Sequence, residues 1–461
     1  MPPERTDPSP ATPAGAPRDL PRLVGVWGAA AVMVGIMIGS GIFRTPTAIA
    51  NELGQPWLIL ALWGAGGVLS LLGALTFSEL ACMYPQSGGV YVFLREGYGR
   101  AAAFVFGWTY MLVSKPLAAA GIVVVFAEHV FTLAGIEYDT AAGPDWRGKA
   151  LVIGVLAMLT WINVRGVSLS AGVAKVLTGV KFGALALIVL LALALRKGDG
   201  ANFETTPSSV SIFAALAPVL AAIMWTYDGW SDIGAIAGEV KHPQRNLPRA
   251  YILGTAAVTV LYVVVNAVYI WLIPLGEMRG MATVAPAVMQ ALVGPVGATL
   301  VTGLIVISTL GSSHGSVMTG GRVSFAQARD GLLFSPLARV HPRFQTPAVS
   351  LWVQLALSIA AVLLVGTFEK LAGGFVFTIW IFYGLAGGAL FILRVRRPDE
   401  ARPFRCPGYP VVPALFVLAA GAMTVMAVID DPLTTGVWIG VLVAGFPAYA
   451  LWRRVAKRSN G

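Results

Sequence analysis

The stretch that decides the fold is Val34-Gly35-Ile36-Met37-Ile38-Gly39-Ser40-Gly41-Ile42-Phe43. It closes an uncharged apolar run that begins at Leu23, and Gly39-Ser40-Gly41 interrupts the helical pattern there. A helix crossing lipid must satisfy its own backbone hydrogen bonds, so a break at membrane depth persists only where protein or a water-filled cavity covers it. A second break, Tyr227-Asp228-Gly229-Trp230, ends the apolar run from Thr206 to Tyr227. Interrupted segments in corresponding positions of two halves of a chain point to a substrate site at the bilayer midplane.

Composition agrees with a membrane setting. Of 461 residues, 57% are hydrophobic and 12% charged, against about 25% charged in soluble domains. Mean hydropathy is +0.76. The net charge of +10 does not indicate nucleic-acid binding, because the basic residues sit in short loops between apolar runs, as the positive-inside rule expects. The two cysteines, Cys82 and Cys406, both fall on the expected inner side, which excludes a disulfide framework. Residues 1–22, rich in Pro, Ala and Thr, lack the features of a signal peptide and are expected to be a disordered cytoplasmic tail.

About twelve spans of sufficient length are expected, at 23–46, 57–82, 101–133, 150–164, 171–195, 212–238, 250–274, 296–322, 346–366, 371–394, 411–429 and 434–452, the fourth being the shortest. With the N-terminus inside, 23 of the 32 Lys and Arg residues fall in the tails and inner loops and 6 in outer loops, which predicts both termini cytoplasmic. Spans 1–5 (23–195) and 6–10 (212–394) then form two five-helix units entering from opposite sides. That is an inverted repeat whose first members both carry the glycine break. Residues 411–452 hold two further helices, and 453–461 form a second cytoplasmic tail.

The breaks carry the chemistry. Glycine lets the backbone unwind at 39–41. The freed amides lie at a helix end with a positive dipole, a setting suited to a carboxylate. Freed carbonyls at 227–231 suit an ammonium. Facing each other, the two breaks match the two charged ends of an amino acid. The alternative is that Gly-Ser-Gly is a close-packing site between helices. No Walker-type phosphate loop and no cluster with metal-ligand spacing appears, so no enzyme activity, cofactor or metal is expected.

The stretch 34–43 resembles the first-helix signature of the amino acid–polyamine–organocation superfamily. Gly73-Ala74-Leu75-Thr76-Phe77-Ser78-Glu79-Leu80, with Tyr84-Pro85-Gln86-Ser87-Gly88-Gly89 after it, is similar to the same superfamily. Tyr227-Asp228-Gly229-Trp230, followed by residues 238–249, resembles the L-type amino acid transporter branch in its bacterial form. Arg402-Pro403-Phe404 and Pro407-Gly408-Tyr409-Pro410 also match. The resemblance, spanning about residues 23–450, implies an all-α integral membrane protein with a five-plus-five inverted repeat (LeuT-like) and helices 1 and 6 broken at mid-membrane. It implies sodium-independent secondary transport of amino acids, as an exchanger or facilitator working by alternating access, with neutral L-amino acids the favoured cargo. It places substrate contacts at Met37, Ser40, Gly41, Trp225, Thr226 and Asp228, with Trp225 capping the substrate as a thin gate or, alternatively, serving as a packing tryptophan.

Lys181 lies mid-span, where a lone ammonium costs at least about 2.5–3.5 kcal/mol. The resemblance places a lysine there in sodium-independent transporters, at the position where sodium-coupled relatives of the fold hold a cation. Its ammonium would then donate to carbonyls of the first break and to hydroxyls of the eighth span, with Ser312 and Ser313 as candidates; the alternative is snorkelling to the inner interface. Lys115, before Pro116, either pairs with Asp228 or another polar group on the path, or binds carbonyls freed by the proline. Asp228 and Asp232 are read three ways: holding the substrate amine, selecting cationic substrates, or ordering the unwound loop. His314 is either a proton carrier or a satisfied polar helix contact. Glu79, Arg95, Arg165, Glu239 and Arg322 are a candidate inner ion-pair gate or structural charges.

Two other functions stay open at this stage: a cationic amino acid or polyamine carrier, proton-coupled in one version, and an amino acid sensor that does not transport. The expected partners are an amino acid and the lipid bilayer, with no nucleic acid. Animal members of the branch join a glycoprotein through a cysteine in the loop between spans 3 and 4. Residues 134–149 contain no cysteine, so no disulfide-linked subunit is expected, and the bacterial inner membrane is the expected location.

Overall fold

A computed structural model describes residues 20–136, 145–208, 210–365 and 368–459. The expected N-terminal tail up to residue 19, and residues 137–144 of the loop between spans 3 and 4, lie outside the described residues. Among the described residues the chain is helical and contains no β-strand. Eleven helical segments are long and apolar enough to cross a bilayer. The ninth expected span, 346–366, corresponds to the apolar helix Ala348–Leu364, 17 residues long, at the lower limit of about 17 residues for a span. The fourth span is longer than expected, at Trp146–Val164.

The helices in order are α1 Val26–Met37, α2 Gly41–Glu52, α3 Pro56–Met83, α4 Val90–Tyr98, α5 Arg100–Thr109 and α6 Lys115–Leu133. They continue as α7 Trp146–Val164, α8 Val167–Leu195, α9 Ile212–Tyr227, α10 Pro243–Leu272, α11 Leu275–Met278 and α12 Ala285–Val293. The last five are α13 Pro295–Arg329, α14 Ala348–Leu364, α15 Phe368–Arg396, α16 Val411–Asp430 and α17 Pro432–Ser459. Local chemistry sets several boundaries. Proline stands in the first turn of α3, α10 and α13, where its missing amide costs nothing. Ser211 caps α9 through the Ala214 amide, and Asp145 caps α7 through the Gly148 amide.

Three spans are not continuous α-helix. The first is split into α1 and α2 around residues 38–40. The third carries a π-helical turn, Tyr110–Ser114, between α5 and α6. The sixth ends as α-helix at Tyr227 and resumes as the 3-10 helix Trp230–Glu239. α1 packs among α8, α10 and α13, while α2 packs against α9. Leu187, Leu190, Leu193, Leu253, Val260, Leu300 and Leu418 are exposed on the outside, as a lipid-facing surface requires.

The face that the Lys and Arg distribution marks as inner is closed by buried charge. Arg322 of α13 donates to Glu239 at 2.6 Å and 3.1 Å, and both side chains are fully buried. Glu79 of α3, also fully buried, accepts from Arg394 at 3.0 Å and 2.6 Å and from the Cys406 amide at 2.6 Å. Arg95 of α4 reaches Asp330 at 2.5 Å. On the same side Val24 forms a parallel bridge with Val240. The Val24 amide donates to the Glu239 carbonyl at 2.9 Å, and the Lys241 amide to the Val24 carbonyl at 2.8 Å. Among the described residues Arg165 forms no ion pair, and its guanidinium stacks over Trp161 at 4.3 Å, the structural of its two expected roles.

Removing one partner of a buried ion pair leaves an uncompensated charge, at about 3–5 kcal/mol. Arg322→Ala is therefore expected to lower the melting temperature of detergent-solubilised protein strongly, and Arg322→Met with Glu239→Leu to recover most of it. Equal melting of the single and double variants would refute this.

Candidate functional site

Unwinding α1 exposes carbonyls that no helix hydrogen bond serves, and a single buried cation serves them. Lys181 of α8 is fully buried, and its Nζ donates to the carbonyl oxygens of Gly35 at 2.6 Å and Ile38 at 2.8 Å and to Ser312 Oγ at 2.9 Å. Ser312 in turn donates toward Gly35 and Ile38, at 2.8 Å and 3.0 Å, and Ser308 donates to Ile38 at 3.0 Å. Thr178, three residues before Lys181, donates to the Ala31 carbonyl at 2.8 Å. An ammonium has three donors and no acceptor, and all three are used here. Lys181 does not snorkel. Ser313 lies elsewhere: its buried Oγ finds no partner among the described residues, so Ser308 rather than Ser313 completes the cage with Ser312.

The two breaks touch. Thr45 and Thr226 share a hydroxyl hydrogen bond of 2.8 Å. Tyr262 of α10, fully buried, donates to the Met37 carbonyl at 2.6 Å and lies 3.4 Å from that of Thr226, so one hydroxyl joins both breaks. Two glycines make this contact possible. A Cβ on Gly41 would meet the Thr226 side chain at 2.5 Å. Gly229 has φ +114°, and a Cβ there would meet Ile36 and the Met37 amide at 2.6–2.9 Å. Asp228 is extended at the end of α9, and its Oδ1 accepts from Tyr383 at 2.8 Å.

A small cavity of about 30 Å³ lies against this junction, lined by Met37, Ser40, Gly41, Trp225, Thr226, Asp228 and Lys115, with Ser316 across from them. All six expected substrate contacts therefore line one cavity. The amides of Ser40, Gly41 and Ile42 open α2, where a helix has no internal partners for them. Ser40 Oγ and Ser316 Oγ are both buried without a hydrogen-bond partner among the described residues. On the side away from the buried ion pairs a larger cavity of about 550 Å³ is lined by Arg44, Thr45, Phe377, Trp380, Asp430 and Asp431, among others. Trp225 lines both cavities; it is the wall between them.

Lys115, also facing the cavity, forms a buried ion pair with Asp232 Oδ1 at 2.6 Å rather than with Asp228. Tyr110 donates to the same oxygen at 3.3 Å. His314 is fully buried, with Nε2 3.0 Å from the Ser170 carbonyl and Nδ1 3.2 Å from the Asn163 amide nitrogen. That assigns Nε2 as donor and Nδ1 as acceptor, a neutral ring satisfied between helices. Among the described residues no group of His, Cys, Asp and Glu has metal-binding geometry.

A model of the amino acid permease family matches residues 24–447. The chain belongs to the amino acid permease family. The serine/threonine exchanger SteT of Bacillus subtilis is 33% identical over 438 residues, covering 93% of this chain and 96% of that protein. The mouse b(0,+)-type amino acid transporter 1 is 30% identical over 420 residues, covering 90% of this chain and 84% of its own. The human cystine/glutamate transporter is 30% identical over 423 residues, with 91% and 83% covered. This amino acid permease is thus a multi-pass membrane carrier of amino acids and not an enzyme.

Ser308, Ser316, Tyr262 and Tyr383 were not anticipated from the permease sequence. Ser308, Ser312 and Ser316 recur every fourth residue on α13, one helical face, and that stripe was the available signal. Nothing in sequence marks Tyr262 or Tyr383 among the other buried tyrosines.

Lys181→Met is expected to leave the Gly35 and Ile38 carbonyls without their ammonium, each at about 1–3 kcal/mol. Transport should fall by about tenfold or more while surface expression changes less; unchanged flux would show that the cage does not need a cation. Gly41→Leu should abolish substrate binding, and retained binding in a thermal-shift titration would place the site elsewhere.

Proposed function

We propose that this permease exchanges neutral L-amino acids across a bacterial inner membrane without sodium, by alternating access. The observation that carries the reading is the placement of Lys181. A covalently attached ammonium occupies the point where α1 carbonyls and α13 hydroxyls converge, so no mobile cation is needed to hold the first break open. The substrate carboxylate sits on the amides of Ser40 and Gly41, close to Met37. The substrate ammonium lies toward Thr226 and Asp228. Trp225 closes over it as a thin gate between the site and the outer cavity. The Bacillus subtilis relative is by name a serine/threonine exchanger, which supports small neutral cargo.

The units 23–195 and 212–394 work as the two inverted repeats, each beginning with a broken span. Their rocking exposes the site to one side or the other. Closure of the inner face by Arg322–Glu239 and Glu79–Arg394, together with the large outer cavity, fits a conformation that opens outward. Both termini are cytoplasmic on the Lys and Arg distribution. The carrier stands alone, since residues 134–149 offer no cysteine to a glycoprotein subunit.

A cationic amino acid carrier is the second reading, favoured by Asp228 on the cavity wall and opposed by the positive charge of Lys181 behind the first break. Counterflow in proteoliposomes loaded with serine distinguishes them. The expected result is uptake of labelled serine or threonine that needs internal amino acid, persists in sodium-free buffer, and is competed by neutral amino acids better than by arginine or putrescine. Sodium dependence, or competition by the cations alone, would overturn the proposal.

A further inference from the structure

Lys115 and Asp232 form a buried ion pair that the exchange mechanism above does not use. Each side chain is 4% exposed, and they meet at 2.6 Å. The π-helical turn Tyr110–Ser114 immediately precedes Lys115, a local widening that often sits at functional sites. The pair has two faces. Lys115 lines the cavity between the breaks. Asp232 does not line it; it faces a separate cavity on the inner side, with Tyr110, Ser231, Tyr383 and Gly88. An ammonium is therefore present in the wall of the substrate cavity, and its counter-charge lies behind that wall.

The polar groups around the pair are few. Tyr110 donates to Asp232 at 3.3 Å, and its ring lies 5.6 Å from Lys115 Nζ. Tyr383 bridges to Asp228 at 2.8 Å and to Ser231 at 2.6 Å. Asp228 is the other carboxylate on the cavity wall. With Asp232 paired to Lys115, Asp228 is left with hydroxyl and substrate partners, so the wall offers no net positive charge to a substrate side chain.

We infer that Asp232 sets the charge specificity of the carrier by cancelling Lys115 from behind. Specificity is a difference of affinities, and an unpaired charge built against the wrong ligand is one way to make it. In the native pair Lys115 has no free attraction for an acidic side chain. Its desolvated carboxylate partner is inaccessible to a basic one. Breaking the pair from either side unbalances the charge: loss of Asp232 leaves the Lys115 ammonium, which lines the cavity, without its counter-charge, and loss of Lys115 removes the side chain that screens the Asp232 carboxylate from the cavity. Asp232 acts through Lys115 and is a positioning residue; it does not touch the substrate. The inference rests on the reading of this cavity as the amino acid site.

The test uses the full-length carrier in proteoliposomes, comparing initial uptake of serine, glutamate and lysine. Asp232→Asn is expected to raise the glutamate-to-serine uptake ratio by about tenfold, one such step in affinity being ~1.4 kcal/mol. Adding Lys115→Gln to it should remove that gain. Lys115→Gln alone should shift the ratio toward lysine instead. Equal losses for all three substrates in both single variants would reduce the pair to a structural tie and overturn the inference. Should Asp232→Asn fail to reach the membrane, the lysine ratio of Lys115→Gln decides alone. Absence of uptake of every amino acid by the wild-type carrier would remove the site reading and this inference together.

Discussion

The structure depends on one electrostatic arrangement, a fixed ammonium at the place where a membrane helix has been pulled open. Unwinding residues 38–40 removes intrahelical partners from carbonyls at a depth where no bulk water replaces them. Lys181 supplies those partners from α8, and Ser308 and Ser312 share the load from α13. The burial that makes a lone lysine expensive is offset by the same carbonyls that need it. Neither feature is stable without the other, and this mutual dependence holds α1, α8 and α13 in register.

From that anchor the cavity follows. Fixing α1 against α8 and α13 leaves the start of α2 facing α9, where Gly41 and Gly229 allow backbone and side chains to approach. The threonine pair Thr45–Thr226 and the Tyr262 hydroxyl then tie the two interruptions into one wall. Trp225 finishes that wall on the side of the large outer cavity. On the other side stand the ion pairs of the buried carboxylates Glu239 and Glu79.

Much of this was legible in the sequence because membrane physics makes the exceptions conspicuous. A glycine pair in an apolar run, or a lysine in mid-span, has few innocent explanations in lipid. Hence the two breaks and Lys181 stand out on inspection, while the six residues that line the cavity came from the resemblance. What the sequence left open were matters of angle and register. Ser312 and Ser313 are neighbours in sequence but 100° apart around a helix, and only one faces the cage. Lys115 pairs with Asp232 rather than Asp228, two carboxylates four residues apart on either side of the turn into the 3-10 helix, and sequence spacing does not choose between them. Arg165 settled on an aromatic face, an outcome that charge counting does not foresee. The tyrosines Tyr262 and Tyr383 matter through one hydroxyl each, which composition cannot reveal.

The short parallel bridge at Val24 and Val240 has a mechanical meaning. It stitches the stem that leads into α1 onto the strand-like residue that follows the 3-10 helix, through two backbone hydrogen bonds. Glu239, beside that stitch, is clasped by Arg322 of α13. The lower arms of the two interrupted spans are thereby yoked, and a swing of either one drags its counterpart or tears the seam. Any transit of cargo to the inner face must therefore begin with a concerted lever stroke rather than with the loosening of a single helix.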